Sequence, residues 1–252
     1  MNRPLRIFYA AADSATAQTP GSKIWYYNLY LPLVDLGHEV VRFDFDFSQI
    51  APYRDFTVAA NQAQIALNRP LLEKQLLTQL KKAQAERPFD LFFSYFYSAD
   101  ITADTLQQIK ELGITTVNWY CNGSYQFHLV SDIAPFYDYC LVPEKFRLED
   151  YRRVGANPIY CQEAANPTIY HPYNLPQEYD ITFVGQKYGD RPVFIRHLFA
   201  PGAGCAGMGA KLARTAVTCS QVAVGWQPPE AFSQRSRTVI STPNTRRPLW
   251  PP

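Results

Sequence analysis

An α/β fold built on a parallel sheet is what this sequence predicts, and three observations predict it. Short, nearly continuous apolar runs alternate with longer segments whose apolar residues recur at helical spacing. The helical segments close on glycine, at Gly37, Gly113 and Gly155, just before the next apolar run. Hydrophobic residues make up 47% of the 252-residue chain and aromatics 15%, enough to bury a sheet on both faces.

The elements follow in order. LRIFYAA at 5–11 is the opening strand, residues 23–37 a helix ending at Gly37, and HEVVRFDF at 38–45 the second strand. The clearest helix spans 68–86, with Leu72, Leu76, Leu77 and Leu80 on one stripe and Asn68 as its N-cap. FDLFFSYF at 89–96 is a buried strand, followed by a helix at 102–112 and a strand at 115–121. A strand at 139–143, a helix at 145–154 and a strand at 158–164 complete the series. Right-handed crossovers between such strands give a Rossmann-like, doubly wound domain, here over residues 1–175.

The bulk composition excludes several classes. A net charge of +2 makes no global case for nucleic acid or a membrane surface. Five cysteines at irregular positions, with no CxxC pair, fit neither a disulfide framework nor a structural zinc site. No apolar stretch is long enough to span a membrane, and MNRPLRIFYAA lacks the apolar core of a signal peptide. The expectation is a soluble, cytoplasmic protein without bound metal or cofactor, whose oligomeric state the sequence leaves open.

Residues 176–200 hold one more strand–turn–helix unit, YDITFVGQKYGDRPVFIRHL at 179–198, expected to join the edge of the first sheet or lie loosely beside it. Composition then changes. Residues 201–252 contain seven prolines, five glycines, six Lys or Arg and a single acid, Glu230. An irregular tail is expected there, disordered or translated from a shifted reading frame.

Ligands of open α/β sheets sit at the carboxyl ends of the strands, so the loops at that edge hold the candidate residues. After the first strand, Asp13, Ser14, Gly21, Ser22 and Lys23 form a small polar loop that lacks the GxxxxGK spacing of a phosphate-binding loop. Tyr95, Tyr97 and Asp100 follow the third strand, where aromatic faces beside a carboxylate suit a sugar-like ligand. The fourth is followed by the tight-turn pair Asn122–Gly123, with Tyr125 and the acid/base candidate His128. Glu144 follows the fifth strand, and Asn166–Pro167 leaves the domain after the sixth. In the next unit Gly185, Gln186, Lys187, Gly189 and Arg191 fit a loop that holds phosphate. A dinucleotide reading is disfavoured, since AAADSATA replaces GxGxxG and only Asp44 and Asp46 lie near the end of the second strand. His38, at the opposite edge, reads as structural.

Three segments together resemble glycosyltransferases of the spore-maturation glycosyltransferase-like (CgeB-like) family: LRIFYAAADS, the linker AANPTIYHPYN at 164–174, and 179–198. The likeness spans about residues 3–199. It implies a GT-B fold of two Rossmann-like domains and transfer of a sugar from a nucleotide-sugar donor, a substrate, to an acceptor the sequence does not name. On that resemblance Gly185, Gln186, Lys187 and Arg191 contact the donor phosphates. Asp13, Ser14, Gly21, Ser22, Asn122, Gly123 and Tyr125 line the acceptor side. Relatives often carry an acid near Asn122, so the catalytic group stays open, with His128 and Asp100 as candidates. The resemblance further implies that the donor domain is truncated here and that the chain alone turns over poorly. A non-catalytic Rossmann-like binding or interaction domain is the alternative.

Overall fold

A computed structural model of the chain describes residues 3–12, 25–168, 170–172, 176, 184–185, 189–194 and 217–218. Six parallel strands form one sheet: β1 (Arg6–Ala11), β2 (Glu39–Arg42), β3 (Leu91–Tyr95), β4 (Thr115–Trp119), β5 (Tyr139–Val142) and β6 (Pro158–Tyr160). Their spatial order is β2-β1-β3-β4-β5-β6, so the winding reverses between β1 and β3. That is a doubly wound, Rossmann-like sheet, as the apolar runs predict. β1 and β3 are its centre: Ile7, Phe8, Tyr9, Ala10 and Phe92 are each at most 1% exposed.

The helices depart from expectation mainly at their ends. Between β1 and β2 a π-helical turn, Tyr26–Tyr30, runs straight into α1 (Leu31–Asp35). Gly37, at φ 83°, ends this segment in the left-handed conformation that glycine adopts without steric cost. α2 (Ala59–Glu86) starts nine residues before its expected N-cap, so Asn68 lies inside the helix and Val58 precedes it. The Ala- and Gln-rich run AANQAQIAL supports this extra length. Pro70 is tolerated inside because it and Ala66, whose carbonyl loses its helical donor, are both exposed. Leu72, Leu76 and Leu80 are wholly buried against the sheet, each contributing roughly 1.5–3 kcal/mol.

α3 (Ala103–Glu111) is capped by Thr102, whose hydroxyl accepts from Thr105 N. Glu73 of α2 reinforces this cap by accepting from Thr102 N, Thr102 Oγ1 and Thr105 Oγ1 at 2.6, 2.6 and 2.9 Å. Where a tight turn is expected at Asn122–Gly123, the chain instead forms a short helix, α4 (Gly123–Gln126), and neither residue has positive φ. α5 (Leu148–Arg153) follows a single 3-10 turn, Lys145–Arg147, and packs on β6.

Past Tyr95 the β3–β4 ladder is continued by a side chain. Asn118, 3% exposed, accepts from Phe96 N at 2.9 Å and donates to Phe96 O at 3.0 Å. Ser94 Oγ donates to Asn118 Oδ1 at 2.9 Å and sits 2.9 Å from the Tyr137 hydroxyl. The carboxyl end of β3 is therefore held extended where backbone pairing has already stopped.

The chain divides into two compact units, Met1–Asn166 and Pro167–Pro252. In the second, β7 (Val184–Gly185) pairs in parallel with β8 (Val217–Thr218), rather than with the edge of the six-stranded sheet. Residues 191–194 between them are helical, and Gly189 turns at φ 53°. The expected strand–turn–helix thus has its own parallel partner. Of the expected irregular tail only residues 217–218 are described; the remainder lies outside the described residues. Among the described residues no helix is long and apolar enough to cross a membrane.

Replacing Asn118 by Leu leaves the Phe96 N–H and C=O without the amide that pairs them, while the Ser94 hydroxyl keeps Val117 O and Tyr137. Urea unfolding should show a loss of about 2–5 kcal/mol for Asn118→Leu. Leu67, 65% exposed on α2, is the control, and Leu67→Ala should stay within about 0.5 kcal/mol of wild type. Equal losses for the two would contradict the role given to the amide.

Candidate functional site

Parallel register places the ends of β4, β5 and β6 level: Trp119 pairs with Leu141, and Leu141 with Ile159. The residues two to five positions further on therefore converge. Cys121 and Ser124 after β4, Pro143 and Glu144 after β5, and Gln162 and Glu163 after β6 line an open groove of about 470 Å³. Its location at the carboxyl edge of the sheet is where this fold class binds ligands.

Each wall is fixed from behind. Glu144 Oε1 accepts from Ser124 N at 3.0 Å, tying the β5 loop to α4. Arg147 donates to Ser124 O from Nη2 and to Asp150 Oδ2 from Nη1 at 2.7 Å. Gly123 leaves room at this junction: a Cβ there would stand 3.2 Å from Glu144 Oε2, so the carboxylate would have to shift slightly to admit one. That same oxygen is buried and has no hydrogen-bond partner.

Among the described residues two carboxylates, Glu144 and Glu163, and no cation line the groove. Partial burial raises the Glu163 carboxyl above its ordinary value, and the neighbouring Glu144 charge raises it further. Burial likewise pushes the Cys121 thiol up to about 11; the Tyr95 hydrogen bond pulls down, while Glu163 and Glu144 push up. Among the described residues no cluster of three or more His, Cys, Asp or Glu could hold a metal ion.

Behind Cys121 lies an aromatic wall. The Tyr95 hydroxyl is 3.5 Å from Cys121 Sγ and 3.2 Å from the Tyr97 hydroxyl. Tyr120 stacks on Tyr95 at 5.9 Å, and Trp25 meets both Tyr95 and Trp119 at 5.0 and 5.3 Å. Beneath Tyr97 is a buried ion pair, Arg54 Nε to Asp100 Oδ1 at 3.0 Å, with the guanidinium over the Tyr97 ring at 4.6 Å. Asp100 Oδ2 accepts from Tyr97 N at 3.0 Å. Burial pushes the Asp100 carboxyl up while Arg54 pulls against it.

The residues predicted from the sequence scatter around this geometry. Asp100 is 0% exposed with both oxygens engaged, which gives it the role of positioning Tyr97 rather than of touching a ligand. His128 packs on the Phe56 ring at 6.5 Å, beside Asp55, away from the groove. Asn122 and Gly123 open α4 behind the groove wall, and Tyr125 is 68% exposed, its hydroxyl donating to Asn122 Oδ1 at 3.3 Å. Tyr97 is brought into the wall. Asp13, Ser14, Gly21, Ser22 and Lys23, with Gln186 and Lys187, lie outside the described residues. Gly185 ends β7, and Arg191 begins the helical residues that follow.

Sequence reasoning did not single out Cys121, Ser124, Pro143, Gln162 or Glu163 as ligand-facing. The signal was positional: each lies just past one of three adjacent strands. Asn166 was seen as a linker residue; its side chain donates to Tyr27 O at 2.8 Å and its N–H to Asn28 Oδ1 at 3.2 Å. The linker is thereby clamped to the π-helical turn. Compared with known proteins, the chain matches no protein-family model and no curated protein.

Alkylation reports on the groove directly. With a thiol pushed to about 11, only ~0.1% of Cys121 is thiolate at pH 8. Iodoacetamide labelling of the Cys121 peptide should rise about tenfold per pH unit between pH 8 and 10. Glu163→Gln removes a repelling charge and should raise labelling at pH 9. A plateau below pH 9 in the wild-type protein would contradict this electrostatic account.

Proposed function

We propose that the chain is a glycosyltransferase-like protein whose first unit holds a sugar acceptor in the groove beyond β4, β5 and β6. The observation that supports this most is the groove itself: two carboxylates, a hydroxyl and an amide gathered at the carboxyl edge of the sheet. Carboxylates, hydroxyls and amides bond sugar hydroxyls. The reaction is attack of an acceptor oxygen on the anomeric carbon of a nucleotide sugar. The bond to the diphosphate breaks, the nucleoside diphosphate leaves, and the acceptor proton passes to a base. Glu163, at the groove and with a raised pKa, suits that last task. Donor phosphates fall to the loop of Gly185, Gln186, Lys187 and Arg191, whose two cations match a diphosphate. The parallel pair of β7 and β8 around a helical segment supports the second Rossmann-like unit this reading requires.

Calorimetric titration with uridine, guanosine and thymidine diphosphates tests the donor side. One of them should bind, and Lys187→Ala or Arg191→Ala should weaken it about tenfold or more. Glu163→Gln should leave that affinity unchanged. Acceptor sugars that bind while no nucleoside diphosphate does would make the chain a non-catalytic binding domain. Binding of neither would end the proposal.

A further inference from the structure

We infer that one water molecule is bound inside the wall behind the groove, held between the Glu144 carboxylate, the Arg147 guanidinium and the Tyr151 hydroxyl. This site does not depend on the transferase reading. The three residues are spaced i, i+3 and i+7, which sets them on one stripe of the chain running through the Lys145–Arg147 turn into α5. The stripe packs against the stretch that begins at Gly123, with Phe127 meeting the Tyr151 ring at 4.7 Å. Each of the three keeps one buried polar atom without a hydrogen-bond partner: Glu144 Oε2, Arg147 Nε and Tyr151 Oη. Their neighbouring atoms are engaged. Glu144 Oε1 accepts from Ser124 N, and the Arg147 Nη atoms donate to Asp150 Oδ2 and Ser124 O. Tyr151 is 1% exposed, and the charges of Glu144 and Arg147 both act on its hydroxyl.

Leaving a buried polar atom unbonded is costly, so three on one stripe point to a shared partner. Their chemistry selects it. Glu144 Oε2 accepts, Arg147 Nε donates, and the Tyr151 hydroxyl does either. The carboxylate repels an anion and the guanidinium repels a cation. A small neutral molecule with both donor and acceptor satisfies all three atoms. Water does so by donating to Oε2, accepting from Nε and completing a third bond with Tyr151, the usual number for an internal water. Gly123 leaves the space, since a Cβ there would stand 3.2 Å from Oε2 and 3.9 Å from Arg147 Cγ. With the water in place both oxygens of Glu144 are engaged, and the residue is a fixed part of the wall. The acceptor proton of the transferase reading then falls to Glu163 alone.

Two measurements on the full chain test the site. A crystal structure that resolves ordered water should show one molecule within about 3.2 Å of Glu144 Oε2, Arg147 Nε and Tyr151 Oη. Direct bonds among the three side chains with nothing between them, or an ion in that place, would overturn the inference. Urea unfolding of Tyr151→Phe reads the same site without an image of it. A hydroxyl bonded to a held water contributes to stability, so its loss should lower the midpoint by about 0.5 M. A hydroxyl that is truly unbonded costs stability, and its removal would leave the midpoint unchanged or raise it. Either of those results would also overturn the inference. Tyr125→Phe is the control: Tyr125 is 68% exposed, and its midpoint should match wild type. Nucleoside diphosphate titration is independent of both measurements, so failure of the transferase reading would leave the water site standing.

Discussion

The carboxamide of Asn118 does what two more residues of β-ladder would otherwise do. By bonding both main-chain groups of Phe96, it keeps β3 straight beyond its last paired residue. Tyr95 and Tyr97 then point to the same side, their hydroxyls within reach of each other and of Cys121. The Arg54–Asp100 pair fastens the far end of this segment. A polar network so deep in a sheet is stable because its members are satisfied by one another. The tyrosine cluster behind Cys121 is referenced to that one amide.

The acidic side of the groove has a different mechanical basis. There the wall is made by loops, and the loops are joined through Ser124, whose N–H and C=O are taken by Glu144 and Arg147. The absence of a side chain at Gly123 lets the Glu144 carboxylate come this close. The site thus sets a loop-built charged face in front of a buried aromatic cluster.

The strands were legible in the sequence because burial on both faces turns them into unbroken apolar runs, as in IFYAA and LFFSY. Helix stops were equally legible, since Gly37, Gly113 and Gly155 all take up positive φ. The start of α2 was not. Its first turns carry Ala, Asn and Gln with no apolar stripe, and Pro70 reads as a boundary although solvent on its side of the helix tolerates it. The groove was legible only as an edge of the sheet. Glu163 and Gln162 look like any solvated pair until register with β5 brings them level with Glu144. Conversely Asp100 looked like a ligand group because the sequence does not show that Arg54 returns to cover it.

β6 closes the sheet on one side with three residues, and the first of them, Pro158, has no N–H to offer. Ile159 and Tyr160 beside it are 43% and 39% exposed. A long, regular border with such apolar side chains would serve as a template on which further strands could stack. Brevity and the imino ring spoil that template, so the protein can leave greasy residues in water at this margin without inviting fibrous growth.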